Sequence, residues 1–505
     1  MPMITPRSIW IATTSETAYE PLADGVEVDV AVVGGGIAGI TAAHLLKRAG
    51  KSVAIVDAKR ILHGATGYTT AKVTAAHNIA YAAVAKKFGD DGARLYAAAN
   101  QGALERIARL VEEMQIDCEF ERKPNYVYCE SPDERNQVEQ EVDAARKAGL
   151  AAKLVEETPL PYQVECAFRL DEQAQFHPRK YLLPLAQFVD GEGSHVLELT
   201  RVVKVTGSDR LRVETDRGVV TARDVILASH LPFLDRGFFF AKAHPERSYA
   251  VAARIRDEQD PQGMYINVSR PTRSVRTAYD EQGLLLLLGG EGHKPGAEPD
   301  TEARYRALEE FGRRHWQTHE FPYRWSTQDY SSVDGVPYVG RLTRRSEHIY
   351  VATGFKKWGM TNGTAAALIL SDLILGRDNP WAKLFDAKRL KPLASASTFV
   401  TENAAVARHF FGDRVNRGER AEPEQLRPGE GGLLRLGGRK TAAYRDEQGE
   451  LHTLSPVCTH MGCHVSWNPA ERSWDCPCHG SRFAGDGMVI QGPATRDLEK
   501  RDIDG

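Results

Sequence analysis

The sequence predicts an α/β chain, in which an α/β unit is interleaved with an α+β portion, followed by a small all-β domain. Three observations predict it. A buried strand over 28–33 runs straight into a glycine loop and a helix. Apolar and polar residues alternate in part over 249–277 and 284–290, as they do in half-buried sheet strands. Near the C-terminus, short turn-bounded strands surround two loops rich in Cys and His.

The 505 residues suffice for two or three domains. A hydrophobic content of 42% and a charged content of 26% are those of an ordinary soluble globular protein. A net charge of −3 gives no reason to expect nucleic acid or an anionic membrane as partner. No apolar run of signal-peptide length opens the chain. The tightest apolar run, 284–288, falls far short of the roughly 18 residues of a membrane span. No membrane span and a cytoplasmic location are therefore expected. Of seven cysteines, four lie between 458 and 478. Cys118, Cys129 and Cys166 are scattered and read as small buried hydrophobes.

Residues 1–27 are polar and irregular. The strand over 28–33 is apolar apart from Asp29 and leads into Gly34-Gly35-Gly36-Ile37-Ala38-Gly39. A helix over 40–49 ends at Gly50, and a second strand over 51–56 is closed by Asp57. Strand, glycine loop, helix, strand and acid in this order form the Rossmann-like dinucleotide-binding unit. Gly34 permits the tight turn, Gly36 lets backbone approach the pyrophosphate, and Gly39 lets helix and strand pack closely. The helix N-terminus offers N–H groups to phosphate, and Asp57 can accept from ribose hydroxyls. Gly34, Gly36, Ile37, Ala38, Gly39, Asp57 and Ala58 are the expected contacts. This fingerprint does not separate FAD from NAD.

Helices are expected over 79–115, strands over 116–130 and a charged surface helix over 131–149. Two further stretches carry chemistry. One is His63-Gly64-Ala65-Thr66-Gly67-Tyr68-Thr69-Thr70-Ala71-Lys72; the other runs through Thr353-Gly354-Phe355 and Trp358-Gly359-Met360-Thr361. Together with the glycine loop they resemble FAD-dependent oxidoreductases of the D-amino-acid oxidase type, which include glycine and sarcosine oxidases. The resemblance covers about residues 25–390. It implies that Thr66, Gly67, Thr70 and Lys72 lie along the flavin, and that Val202 and Val203 clasp the adenine. It also implies that Gly354, Phe355, Gly359, Met360 and Thr361 return to meet the ring. Residues 359–364 open a second Ala-rich helix over 364–375, whose N-terminus can stabilise negative charge on reduced flavin.

The resemblance makes His177, in His177-Pro178, a substrate-side candidate. His230 ends a core strand over 225–230 and can face the flavin. Trp325, Gln328, Asp329 and Lys356 are candidates for walling the active site. Arg254, Arg256, Arg270, Arg273 and Arg276 read as a solvated basic face, although amino-acid oxidases use an arginine to pair with the substrate carboxylate. Asp334-Gly335-Val336-Pro337 resembles the turn before the last FAD strand. Residues 378–396 leave the first domain, and a helix over 402–411 opens a charged linker.

Hairpin strands over 432–454, with turns at Gly437-Gly438 and 446–449, form the base of the small domain. Above it lie Cys458-Thr459-His460-Met461-Gly462-Cys463 and Cys476-Pro477-Cys478-His479-Gly480-Ser481. Two Cys and two His suit either a structural zinc ion or a [2Fe–2S] centre ligated by two thiolates and two imidazoles. Cys463 and Cys478 recur inside the loops. A four-ligand zinc site has no use for them, whereas a cluster between two loops does, because a disulfide would clip the loops together. These motifs resemble Rieske domains of the cytochrome bc1 and b6f type, as does Gly492-Pro493-Ala494, which matches the loop that covers the cluster. The resemblance implies ligands Cys458, His460, Cys476 and His479 and a Cys463–Cys478 disulfide. One departure stands out: Phe483 occupies a position where that family has Tyr.

The expected division is 1–395 for the flavoprotein, with FAD-binding parts about 28–80, 170–235 and 325–390 and substrate parts about 81–169 and 236–324. A helix and linker occupy 396–430, and the Rieske domain occupies 431–505. A flavin takes an electron pair and can release it singly, as a [2Fe–2S] cluster requires, which favours FAD over NAD. The expected function is a dehydrogenase. FAD oxidises an amine or amino-acid-like substrate, and electrons leave through the cluster to an external acceptor. Two alternatives remain: electrons entering from an external donor through the cluster, and a carrier or redox sensor with no turnover of its own.

Overall fold

The structure, a computed structural model, describes residues 6–389, 403 and 423–501. Its first sheet has eight strands: β1 (Val26–Val33), β2 (Val53–Val56), β7 (His195–Leu197), β8 (Val202–Thr206), β9 (Leu211–Thr215), β10 (Val219–Leu227), β16 (Tyr338–Arg341) and β17 (Ile349–Thr353). The order β16-β17-β10-β1-β2-β7 is parallel from β17 to β7. β1 is buried on both faces, which is why it reads as a nearly unbroken apolar run. It connects to β2 on one side while β10 flanks it on the other, so the chain reverses at the C-terminal end of β1, where such sheets bind ligands.

Helix α1 (Ile9–Ala12) packs under this region. Helix α2 (Ile37–Arg48) starts three residues earlier than the sequence suggests, because Ile37 to Gly39 are already helical behind an N-cap at Gly36. A Cβ on Gly39 would lie 2.0 Å from the carbonyl oxygen of Gly34, so helix and turn approach as closely as backbone allows. α2 packs on α5 (Pro178–Val189) and α8 (Gly359–Ile374).

The second sheet has nine strands: β3 (Lys72–Val73), β4 (Glu121–Cys129), β5 (Lys153–Val155), β6 (Cys166–Gln175), β11 (Ala243–Arg254), β12 (Met264–Asn267), β13 (Arg273–Asp280), β14 (Gly283–His293) and β15 (Tyr323–Ser332). Their order is β15-β11-β14-β13-β12-β4-β6-β3, with β5 on β6. Helix α3 (Tyr81–Glu113) is broken at Gly89, whose φ is +76°. Helix α4 (Pro132–Lys147) falls within the expected 131–149 and is capped by Ser131. Helix α6 (Phe239–Lys242) is a single turn before β11. Helix α7 (Glu302–Trp316) covers β11 and β14, and no sequence signal had marked it. Helix α9 (Ala382–Phe385) closes the described part of the first region. The expected helix over 402–411, apart from Asn403, lies outside the described residues.

The C-terminal region is all-β. Strands β18 (Gly431–Leu436), β19 (Arg439–Arg445) and β20 (Leu451–Leu454) form one sheet. Strands β21 (Ser466–Asn468), β22 (Ser473–Asp475), β23 (Arg482–Ala484) and β24 (Val489–Gln491) form another. Gly437 and Gly438 both have positive φ, as a two-residue hairpin turn demands. Leu454, Val465, Trp474 and Phe483 fill the space beneath the two Cys/His loops. This region packs on the second sheet and on α7: Thr301 donates to Asn468 Oδ1 at 2.8 Å, and the Tyr305 hydroxyl donates to Glu471 at 2.9 Å.

Candidate functional site

A cavity of about 1420 Å³ lies in the first region, above the roughly 300–1,000 Å³ of a pocket for one drug-sized molecule. Its wall includes the glycine loop, Asp57 and Ala58, Thr66, Thr70 and Lys72, and residues 355–360. It also includes residues of β11–β15, and 490–495 of the C-terminal region. The donor set fits a dinucleotide. α8 begins without a side-chain cap, so its first N–H groups remain available at the cavity wall, whereas at the start of α2 the N–H of Ile37 is already taken by Thr66 Oγ1 at 3.1 Å and that of Ala38 is left at the wall. Asp57 accepts from the N–H of Gly35 and of Lys59, each at 2.8 Å, and keeps lone pairs for further donors. Burial, only partly offset by these bonds, pushes its pKa up to about 6.

Several residues expected in the site lie behind this wall. Gly39 and Gly67 make close backbone packing possible, Gly67 against Leu62. Gly354 turns the chain out of β17 with φ +79°. The Thr361 hydroxyl donates to the carbonyl of Thr74 at 3.0 Å and meets His77 Nε2 at 3.0 Å. At Val203 the β8–β9 ladder shifts register; the side chain is exposed, and Arg201 and Val202 are the residues that reach the cavity.

Two catalytic candidates require correction. His177 is the N-cap of α5, with Nδ1 accepting from Lys180 N at 3.2 Å and Nε2 against Thr13 Oγ1 at 3.0 Å. Its ring meets the edge of Trp10 and it is fully buried away from the cavity. Trp325 is likewise a core residue, donating from Nε1 to the carbonyl of Tyr68 at 2.9 Å. The five arginines do not share one solvated face either: Arg256 and Arg270 are exposed, the other three are not. Arg276 is buried and donates to the carbonyls of Thr70, Ala71 and Phe176, Arg254 is held by Asp280, and Arg273 by Glu291. Of the five arginines, Arg270 alone reaches the cavity wall.

His230 and Lys356 do line the cavity. Lys356 has φ +51°, and its ammonium pKa is lowered by desolvation and then by Lys87. Lys72 is buried; desolvation and then Arg276 hold its pKa well below the usual lysine value. His77, which sequence reasoning missed, also reaches the wall. It stacks on Trp358 with ring centroids 4.8 Å apart. Its Nε2 donates to Thr74 O at 2.8 Å and its Nδ1 accepts from the Tyr96 hydroxyl at 2.7 Å. Burial lowers its pKa to about 3, so it is a neutral ring that fixes Trp358 beside the start of α8. No local motif announces it, because apart from Thr74 its partners Tyr96, Trp358 and Thr361 lie far along the chain.

The two Cys/His loops meet as the motifs imply. Cys463 and Cys478 form a disulfide with S–S 1.97 Å. Cys476 Sγ lies within 4.8 Å of both, but those sulfurs are committed to each other and cannot ligate. Cys458 and Cys476 are buried free thiols joined by a hydrogen bond, which draws Cys458 down and pushes Cys476 up. The rings of His460 and His479 lie 5.1 Å apart. Burial, then His460, lowers the pKa of His479 to about 3, leaving it the neutral imidazole that a metal requires. Two thiols and two neutral imidazoles beside a disulfide fit a [2Fe–2S] centre.

The loop that carries Cys476 and His479 bonds to Gln328, a residue of the cavity wall. His460 Nε2 meets Asp235 Oδ1 at 3.2 Å, and the rings of both histidines face Phe240. On β15, the Tyr330 hydroxyl donates to His479 O and Gln328 Nε2 donates to Gly480 O, both at 2.8 Å. His230 joins Asp329 at 3.0 Å and Gln491 of β24 at 3.2 Å.

Comparison with known proteins agrees with this geometry. The family described as FAD dependent oxidoreductase (DAO) matches residues 29–373, and the Rieske [2Fe-2S] domain matches residues 418–501. YhfW of Bacillus subtilis (strain 168), named as a Rieske 2Fe-2S iron-sulfur protein, is 36% identical over 501 residues, covering 99% of this chain and 98% of that protein. Gamma-glutamylputrescine oxidoreductase of Escherichia coli (strain K12) is 24% identical over 400 residues, 75% of this chain and 90% of the relative. The crystal structure of glycine oxidase from Geobacillus kaustophilus superposes with a TM-score of 0.62 at 18% identity, over 72% of this chain and 99% of that one, a likeness of fold.

Proposed function

Since the chain belongs to the FAD dependent oxidoreductase (DAO) family and carries a Rieske [2Fe-2S] domain, we propose that it is a dehydrogenase of amines or amino-acid-like compounds that delivers its electrons through the iron–sulfur centre to an external one-electron acceptor. FAD, when bound, supplies the oxidation of a C–H bond next to nitrogen. The protein contributes binding, orientation and electrostatics. Residues 34–38, Asp57, Thr66 and Thr70 would hold the dinucleotide, and the first turn of α8 would meet its ring. Cys458, His460, Cys476 and His479 would hold the cluster, with Cys463–Cys478 clipping its two loops.

The observation that carries this reading is the shared wall. One cavity is bounded both by the dinucleotide loops and by residues 490–495, where Ala494 N donates to Ser481 beside the second Cys/His loop, and β15 bonds directly to that loop. A carrier without turnover would have no use for a cavity larger than its cofactor's immediate contacts, and this one extends along β11–β15 past Lys356, Glu246 and His293. The relationship to an oxidoreductase named for gamma-glutamylputrescine supports a substrate with a C–N bond. The test is an anaerobic screen of amines and amino acids, read by flavin absorbance and by EPR. Bleaching followed by a reduced-cluster signal is the expected result. A bleached flavin with no cluster signal at equilibrium, or stoichiometric zinc in place of iron, overturns the reading.

A further inference from the structure

Resting on that reading, we propose that Tyr330 is the positioning residue that couples the oxidation cavity to the iron–sulfur centre, by holding the His479 loop against the cavity wall through a hydrogen-bonded bridge. Tyr330 is fully buried near the end of β15 and touches both sides of the junction. Its carbonyl accepts from the N–H of Lys356 at 3.0 Å, on the loop that leads into α8. Its hydroxyl donates to the carbonyl of His479 at 2.8 Å. One residue therefore spans from the cavity loop to a proposed cluster ligand by two hydrogen bonds.

The neighbours of Tyr330 make the bridge specific. Gln328 Nε2 donates to Gly480 O at 2.8 Å and lies 3.3 Å from the Tyr330 hydroxyl. Gly480 has φ +74°, and a Cβ there would come within 2.4 Å of Gln328 Nε2, 2.8 Å of Pro245 Cβ and 2.9 Å of the Tyr330 hydroxyl. The cluster loop is thus seated on β11 and β15 at backbone contact. The His230 ring stands edge-on to Tyr330 at 4.8 Å and reaches the cavity, which closes the gap on the other side.

With both groups bound, electrons would cross this junction singly: each crossing would oxidise the flavin by one electron and reduce the [2Fe–2S] centre by one, and an external one-electron acceptor would take each electron on in turn. Tyr330 is neither oxidised nor reduced.

The test is Tyr330→Phe in the full-length holoprotein, which keeps the ring and removes the hydroxyl. Photoreduced 5-deazaflavin delivers electrons, and their redistribution between flavin and cluster is followed by absorbance and rapid-freeze EPR. The expected result is redistribution about fivefold slower, the factor that one buried hydrogen bond of ~1 kcal/mol makes, with the cluster's EPR g values and reduction potential unchanged. Gln328→Leu slows it in the same direction. Unaltered redistribution in both variants overturns the proposal and leaves the functional reading standing. A shifted g tensor or potential in Tyr330→Phe also overturns it, since the hydroxyl would then serve the cluster itself. Absence of redistribution in the unaltered protein sinks the functional reading, and the proposal with it.

Discussion

Phe483 is fully buried in the same apolar cluster as Cys458 and Cys476, and it brings no hydroxyl to them. Ser481 does: its side chain hydrogen-bonds Cys458 and also accepts from Ala494 N at 3.1 Å. Hydrogen bonds to sulfur favour the reduced, more negative cluster. Phe483→Tyr should therefore raise the reduction potential and Ser481→Ala lower it, each by roughly 40–60 mV, the one-electron equivalent of a single hydrogen bond. EPR-monitored redox titration checks this; an unmoved potential in Phe483→Tyr would remove the missing hydroxyl as a cause. Asp57 carries the pH prediction. Its folded pKa of about 6 exceeds the 3.8 of the unfolded chain, because burial outweighs the N–H bonds from Lys59 and Gly35. Below pH ~4 it is protonated in both states. As pH rises through about 6, the folded apoprotein must carry the Asp57 charge at the cavity wall, and stability falls across that window. Ribose hydroxyls donate better to the ionised carboxylate, so FAD affinity should rise over the same window, and Asp57→Asn should flatten the rise. FAD titrations of the apoprotein at several pH values decide it.

At the scale of elements, the start of α2 is set by contact rather than by propensity. Gly39 sits where a Cβ would meet the Gly34 carbonyl at 2.0 Å, so Gly39→Ala must push the helix from the turn. The expected cost is about 1–3 kcal/mol, accompanied by loss of bound FAD. Gly25→Ala, just before β1, meets only Val219 O at an ordinary 3.7 Å and should stay within about 0.5 kcal/mol with FAD retained. Thermal unfolding and the flavin-to-protein ratio of purified variants distinguish the two. What could be read from the sequence follows the same division between local and distant. The close contact of Gly39 with Gly34 and the Gly437-Gly438 turn each lie within a few residues, so their spacing carries the geometry. The Cys/His loops are legible for the same reason, since each loop arrives with its own ligands. His177 and Trp325 misled because their partners, Thr13 and the Tyr68 carbonyl, lie 164 and 257 residues away. Cys129 and Cys166, scattered in sequence, stand opposite each other on β4 and β6 with sulfurs 3.5 Å apart.

At the scale of the whole molecule, what holds the C-terminal region on the rest is a buried set of charges that no motif announces. Glu471 accepts from the Tyr305 hydroxyl and lies 3.6 Å from Arg247 and 3.7 Å from Arg482. Arg482 has a second acid, Asp475, at 2.9 Å. Arg247 is fully buried on β11, donates to Ser326, and has no bonding partner for Nε or Nη1 among the described residues. Glu471 is thus the closest counter-charge to a guanidinium from which water is excluded. Removing one member of a buried ion pair typically costs 3–5 kcal/mol, because the other is left charged and unpaired, whereas replacing both by packed apolar groups is often nearly neutral. Glu471→Gln should accordingly loosen the interface by about 3 kcal/mol, seen as faster hydrogen exchange in β11, β15 and the loop over 476–481. The cluster's own absorbance should persist, since its ligands are untouched. Adding Arg247→Met to Glu471→Gln should recover most of the protection, an interaction between the two substitutions that independent sites would not show. If Glu471→Gln leaves exchange unchanged, the Glu471–Arg247 pair does not hold this interface, and its other contacts, among them those of Gln328, Tyr330, Thr301 and Arg201, must do so.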